Sequence, residues 1–136
     1  RQGLPFYGGN ILYRKMIPVR ERGRLCVQIP NWAGALVSVK AAGDPVEKDI
    51  FCSPYLADLG VREPGEYLLE ITAYGNRFNM FGQLHNCDRN ETYYGPWTWR
   101  TAGALWSREY QTKPAGLLSS PLLYRKQSES KGETED

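Results

Sequence analysis

One stretch, residues 74–106, holds the side chains best suited to chemistry: the only histidine, His85; Cys87; the acids Asp88 and Glu91; Arg100; and Trp97, Trp99 and Trp106 out of four tryptophans. Asp88 and Glu91 stand three residues apart, and with Asp58, Glu63 and Glu109 they are the candidates for an acid pair. Hydrolysis of a glycosidic bond needs two carboxyl groups about 5 to 9.5 Å apart across a cleft, and sequence spacing alone does not place such a pair. His85 with Cys87 and Asp88 falls short of the ligand set of a structural zinc site. No Gly-x-Ser-x-Gly elbow supplies a nucleophile for a serine triad. The expected role of His85 is a hydrogen bond within the loop or a contact to another domain. Asp88, Asn90 and Glu91 offer hard oxygens that suit calcium, without the twelve-residue spacing of an EF-hand.

Aromatic residues dominate the same stretch. Trp97 and Trp99 are two apart, so an extended backbone would present both on one face. Two readings follow. In one, the indoles stack on sugar rings while His85, Asn86, Asp88, Asn90 and Arg100 address hydroxyls. In the other, Trp97 and Trp99 join Phe78, Phe81, Tyr93 and Tyr94 in an apolar surface against another domain. Asn90-Glu91-Thr92 also fits the N-glycosylation sequon.

The elements that must position these residues are strands. Alternation of apolar and polar side chains predicts strands over residues 10–19, 24–29, 35–40, 46–51, 67–74, 104–112 and 117–124, with Val37 and Val39 inward, Leu25, Val27 and Ile29 facing one way, and Tyr67, Leu69, Ile71 and Ala73 sharing one face. Residues 30–34, 42–45, 63–66 and 113–116 carry the glycine and proline that turn a chain, and residues 53–60 predict a single helical turn. The expected fold class is all-β, an antiparallel sandwich or jelly roll spanning 1–124, with a long aromatic insertion at 75–103 and a disordered polar tail at 125–136.

Whole-chain chemistry narrows the function classes. A length of 136 residues suffices for one two-layer core, and a net charge of +2 from 17 basic and 15 acidic residues gives no field that selects nucleic acid. No apolar run approaches the ~20 residues of a membrane-spanning helix. The three cysteines, Cys26, Cys52 and Cys87, are odd in number and far apart, which argues against a disulfide framework and leaves the compartment open. A chain that opens on Arg-Gln-Gly reads as a piece of a larger protein.

The runs Gly23-Arg-Leu-Cys-Val-Gln-Ile-Pro, Trp32-Ala-Gly-Ala-Leu-Val-Ser-Val, Ser53-Pro-Tyr-Leu-Ala-Asp-Leu and Glu63-Pro-Gly-Glu-Tyr-Leu-Leu-Glu-Ile-Thr-Ala-Tyr-Gly-Asn resemble the galactose-binding-like jelly rolls that accompany glycoside hydrolase catalytic domains. Phe78-Asn-Met-Phe-Gly-Gln-Leu-His-Asn, with residues 110–121, is similar to the closing part of the same module in bacterial glycosidase-like proteins. The resemblance implies a bacterial parent, cytoplasmic or secreted, and an accessory domain without its own chemistry or cofactor. Its partners would be the catalytic domain of the same chain and a glycan. A stand-alone carbohydrate-binding module and a purely structural interaction module are the alternatives. The insertion at 75–103 departs from the family's short connections.

Overall fold

Alternation along β7 (Gly65–Tyr74) sets the plan of the molecule. Leu69, Ile71 and Ala73 point into the interior, whereas Glu70 and Thr72 on the opposite face are only half-buried. The computed structural model describes residues 3–126. In it β7 pairs antiparallel with β1 (Ile11–Val19) on one side and β4 (Leu36–Ala41) on the other. The short β5 (Lys48–Ile50) completes a four-stranded sheet in the order β1-β7-β4-β5.

A second sheet is centred on β2 (Gly23–Gln28), with β6 (Leu56–Arg62) and β9 (Leu122–Lys126) antiparallel on either side. A two-stranded pair joins β3 (Trp32–Ala33) to β8 (Gly116–Leu117). The protein is therefore all-β with several antiparallel sheets, and both larger sheets keep open edges. No helix among the described residues is long and apolar enough to cross a membrane.

The inward faces meet in one apolar cluster. Val27 (β2) and Ile29 just after it, Val37 and Val39 (β4), Ala57 and Leu59 (β6) and Leu69 and Ile71 (β7) belong to it, with Tyr13, Trp32, Tyr55, Tyr67 and Leu117 packed at its margin. Each fully buried valine or isoleucine contributes roughly 1.5–3 kcal/mol by removal from water. Ser38 is buried on the other face of β4, where its hydroxyl donates to Glu47 at 2.6 Å. Gly116 closes the pairing with β3: its φ is +85, and a Cβ there would overlap the Tyr13 hydroxyl, which itself accepts from the Leu117 N–H at 3.1 Å.

Four local expectations are corrected. Residues 53–60 hold no helical turn. The chain turns at Tyr55, whose φ is +56, and then enters β6, because Ala57 and Leu59 bury at strand spacing while Asp58 reaches Arg24 at 2.5 Å. Residues 104–112 form no strand beyond an isolated bridge between Asn86 and Trp106. There the Ser107 hydroxyl accepts the Glu109 N–H at 3.1 Å, and that local turn competes with any ladder. The single strand expected over 117–124 is two, β8 and β9, separated at Pro121. β9 also takes in Arg125 and Lys126, assigned above to the tail; residues 127–136 lie outside the described residues.

Candidate functional site

Beyond β7 the chain builds a layer from loops. Gly75 begins it under the carbonyls of Gly8 and Gly9, so close that a Cβ would overlap both. The Asn10 side chain accepts the Gly75 N–H at 3.3 Å, and Asn76 accepts that of Phe78 at 3.1 Å, which starts the one-turn helix α1 (Phe78–Phe81). With so little regular structure, side chains must satisfy the backbone.

Two clasps do so. The buried Asn79 amide donates to the Lys113 carbonyl at 2.7 Å and accepts the Lys113 N–H at 2.8 Å, joining segments 34 residues apart. Farther on, the N–H groups of Cys87, Ser107 and Gln111 donate to the carbonyls of Leu105, His85 and Leu84 at 3.0, 2.8 and 2.6 Å. His85 Nδ1 lies 2.8 Å from the Ser107 carbonyl, an acceptor only, so Nδ1 carries the proton. Its ring lies 6.1 Å from that of Trp106 and 5.0 Å from that of Tyr110. His85 thus makes a hydrogen bond within the loop layer, one of the roles expected for it.

Asn86 is the polar hub. Its Nδ2 donates to Glu91 at 2.5 Å, and its Oδ1 accepts from the Asp88 N–H at 2.9 Å and from Arg100 Nε at 3.2 Å. The Arg100 guanidinium lies 3.7 Å from Asp88 and 3.8 Å from Glu91. Asn90 joins through its backbone, donating to Asp88 at 3.0 Å. Asp88 and Glu91 thus share Arg100 as their cation. No group of three or more His, Cys, Asp or Glu side chains placed to hold a metal ion occurs among the described residues. Of the oxygens considered for calcium, those of Asp88 and Glu91 make these internal contacts, whereas Asn90 contributes only its backbone N–H.

Beside the hub opens a pocket of about 350 Å³. Phe78 and Tyr94 supply aromatic walls, the amides of Gln83, Asn86 and Gln111 line it, and Asp88, Glu91 and Arg89 add charge. Lys113 closes one side, with its ammonium 4.1 Å from the Phe78 ring centre and 3.4 Å from the Tyr94 hydroxyl. Such a cavity offers donors, acceptors and flat apolar faces together, which suits a neutral, hydroxyl-rich ligand.

Trp97 and Trp99 lie elsewhere. Pro96–Thr98 is a turn of 3-10 helix, so the extended backbone that would align the two indoles is absent. Thr98 between them is fully buried, with its hydroxyl donating to the Gly95 carbonyl at 2.8 Å. Trp97 is 65% exposed, and Trp99 is half-exposed with its indole N–H donating to the Phe81 carbonyl at 3.2 Å. With Phe81 and Tyr93, also exposed, they are among the exposed aromatics of the layer that lie outside the pocket lining.

Of the residues singled out from sequence, Asn86, Asp88, Asn90 and Arg100 come together around one hub, His85 adjoins it in the chain, stacking on Trp106 and lying tilted against Tyr110, and the tryptophans stay outside the pocket. Gln83, Gln111 and Lys113 were not singled out. Glutamine and lysine carry no positional signature, and the pairing of Asn79 with Lys113 spans 34 residues with no local pattern to reveal it.

No family model matches the chain, and neither a curated protein nor a solved structure matches it significantly. The class of protein is accordingly defined by its own geometry: an all-β protein bearing a loop layer with an amide-lined, aromatic-walled pocket.

Proposed function

We propose that the chain is a non-catalytic accessory domain, a β-sandwich of the galactose-binding-like jelly-roll kind, that holds a glycan in the loop-layer pocket and orients the catalytic domain of a glycoside-hydrolase-like parent. The shared apolar cluster between the inward faces of the two larger sheets supports the sandwich reading. The observation that carries the function is the pocket itself. Phe78 and Tyr94 present ring surface suited to sugar C–H groups, while Gln83 and Gln111 can each donate to and accept from hydroxyls and Asn86, whose oxygen already accepts two hydrogen bonds, retains one N–H to donate. Asp88 and Glu91 serve as anchored acceptors, because Asn86 and Arg100 already hold them on one side.

A glycan array on the chain, repeated with Tyr94→Ala and Gln111→Ala, tests this. Binding that falls by roughly tenfold or more in either variant is expected from the loss of a buried contact. Equal binding by both variants removes the pocket from the function, and glycosidase turnover by the chain itself removes the non-catalytic assignment.

A second reading rests on a different observation, the exposed Phe81, Tyr93, Trp97 and Trp99. These side chains form the docking face for the neighbouring catalytic domain in this proposal, since large aromatics dominate the energetics of such contacts. Trp97→Ala with Trp99→Ala would then keep glycan binding and lose the domain contact.

A further inference from the structure

The end of β1 away from the loop layer borders a second cavity. Ile11, at the start of β1, pairs with Ala73 near the layer, whereas Val19 pairs with Gly65 at the far end. Among the described residues β1 pairs only with β7 and β9 only with β2, and residues of the far half of β1 and of β9 line the same cavity. Between them runs a groove of about 470 Å³. Its floor reaches the core at Ile17 and Leu25, and exposed Met16 and Leu123 stand on its walls.

We propose that this groove is a strand-addition site for an extended segment of a partner polypeptide, one that alternates apolar with acidic residues and pairs along β9. Three features select that occupant. Two strand edges beside one cavity leave unpaired backbone groups for an extended peptide to satisfy. The apolar floor takes alternate side chains of such a strand.

The third feature is charge. Lys15, Arg20, Glu21 and Arg125 line the groove; Glu21 pairs with Arg125, and Lys15 and Arg20 have no ion pair among the described residues. The lining is therefore cationic and matches acidic positions on the incoming strand. β9 is the better edge, because Pro18 interrupts the donors of β1 and β9 contains no proline. Residues 127–136 include four acidic residues and one lysine but no apolar side chain, so they match the rim and bring nothing to the floor.

The test uses the full chain and a fluorescent peptide of alternating valine and glutamate about nine residues long, a length matched to typical strands. Saturable binding is expected, weakened roughly tenfold or more in Lys15→Glu/Arg20→Glu and in Leu123→Lys. It should also be lost when alternate peptide amides are N-methylated, which blocks pairing without changing charge. A valine–lysine peptide should not bind. Absence of saturable binding, or equal binding of the lysine and N-methylated peptides, overturns the proposal. Hydrogen exchange of the chain alone reports on other occupants. Protection of the outer β9 amides that grows with protein concentration would assign the groove to a second copy, and concentration-independent protection would assign it to the chain's own end. Either result overturns the choice of an outside partner.

Discussion

The strand core and the loop layer solve the same problem with opposite materials. In the core, backbone groups pair with one another along ladders, which leaves side chains free to be apolar: Val27, Ile29, Val37 and Val39 are wholly buried. In the layer at 75–115 the backbone has few ladder partners, so Asn76, Asn79, Asn86, Asp88 and Ser107 spend their side chains on it. The aromatic residues are then displaced outward, to the pocket wall and the exposed face. Polar groups satisfied internally while rings face solvent are what the proposed docking of this layer against a ligand or a neighbouring domain calls for.

This contrast predicts different responses to truncation. The largest effect is expected from Ile29→Ala, at a position with no exposure, which should cost about 3 kcal/mol from lost burial and the cavity left behind. Urea unfolding should show a lower midpoint with an unchanged slope, as the whole core loosens together. Asn79→Ala should cost somewhat less, about 2 kcal/mol, because it leaves both the N–H and the carbonyl of Lys113 without their partner. Its signature is regional. Amide exchange should accelerate across 75–115 while the outer strands of the sheets keep their protection, and uniform acceleration would show that core and layer form one cooperative unit.

Acid should strike the core side of the comparison. The Ser38 hydroxyl, then Tyr74 and Lys40, hold the Glu47 carboxyl below its ordinary range against a smaller opposing effect of burial. The Arg62 guanidinium does the same for Asp44, aided by the Ala41 N–H. Burial pushes Asp58 up, but the Gly60 N–H and Arg24 together outweigh it and leave it lowered. A carboxylate whose folded pKa lies below its unfolded value stabilises the fold fully above the unfolded value, and that stability is lost as pH falls through the folded one. Stability should therefore be flat near neutrality and decline below about pH 4. Asp44→Asn should cost about 1 kcal/mol at pH 7 and flatten the acid limb, measured by urea midpoints from pH 3 to 7. An unchanged acid limb would remove the Arg62 pair as its source.

The two regions also differ in how much of them could be read from sequence. β4 and β7 were legible because burial on one face imposes a period of two on Val37, Val39, Leu69 and Ile71. β6 was not, since only Ala57 and Leu59 bury at that period: Gly60 adopts φ +81 near the register shift against β2, and Val61 beyond it is exposed. Residues 104–112 carried the period without the ladder, because Trp106 and Tyr110 alternate to flank His85 rather than to face a core. In the layer, residue types drew attention to Asn86, Asp88, Asn90 and Arg100 as ligand contacts, but nothing local showed that they bind one another. The pocket's far wall comes from Gln111 and Lys113, which only long-range clasps bring near.

The smallest expected effect concerns Trp97, and it separates a displayed ring from a structural one. Trp97→Ala should change stability by no more than about 0.5 kcal/mol, since the side chain is mostly exposed and the buried Thr98 keeps the turn. Gly95→Ala probes the same ring without deleting it. The Gly95 backbone is extended, at φ −153, so alanine is tolerated there. A Cβ would nevertheless run into the six-membered ring of Trp97 and swing the indole away. If the tryptophan face docks a neighbouring domain in a fixed orientation, Gly95→Ala should weaken that contact nearly as much as Trp97→Ala while leaving the melting temperature unchanged. Docking retained in Gly95→Ala but lost in Trp97→Ala would mean that the ring's area matters and its placement on the 3-10 turn does not.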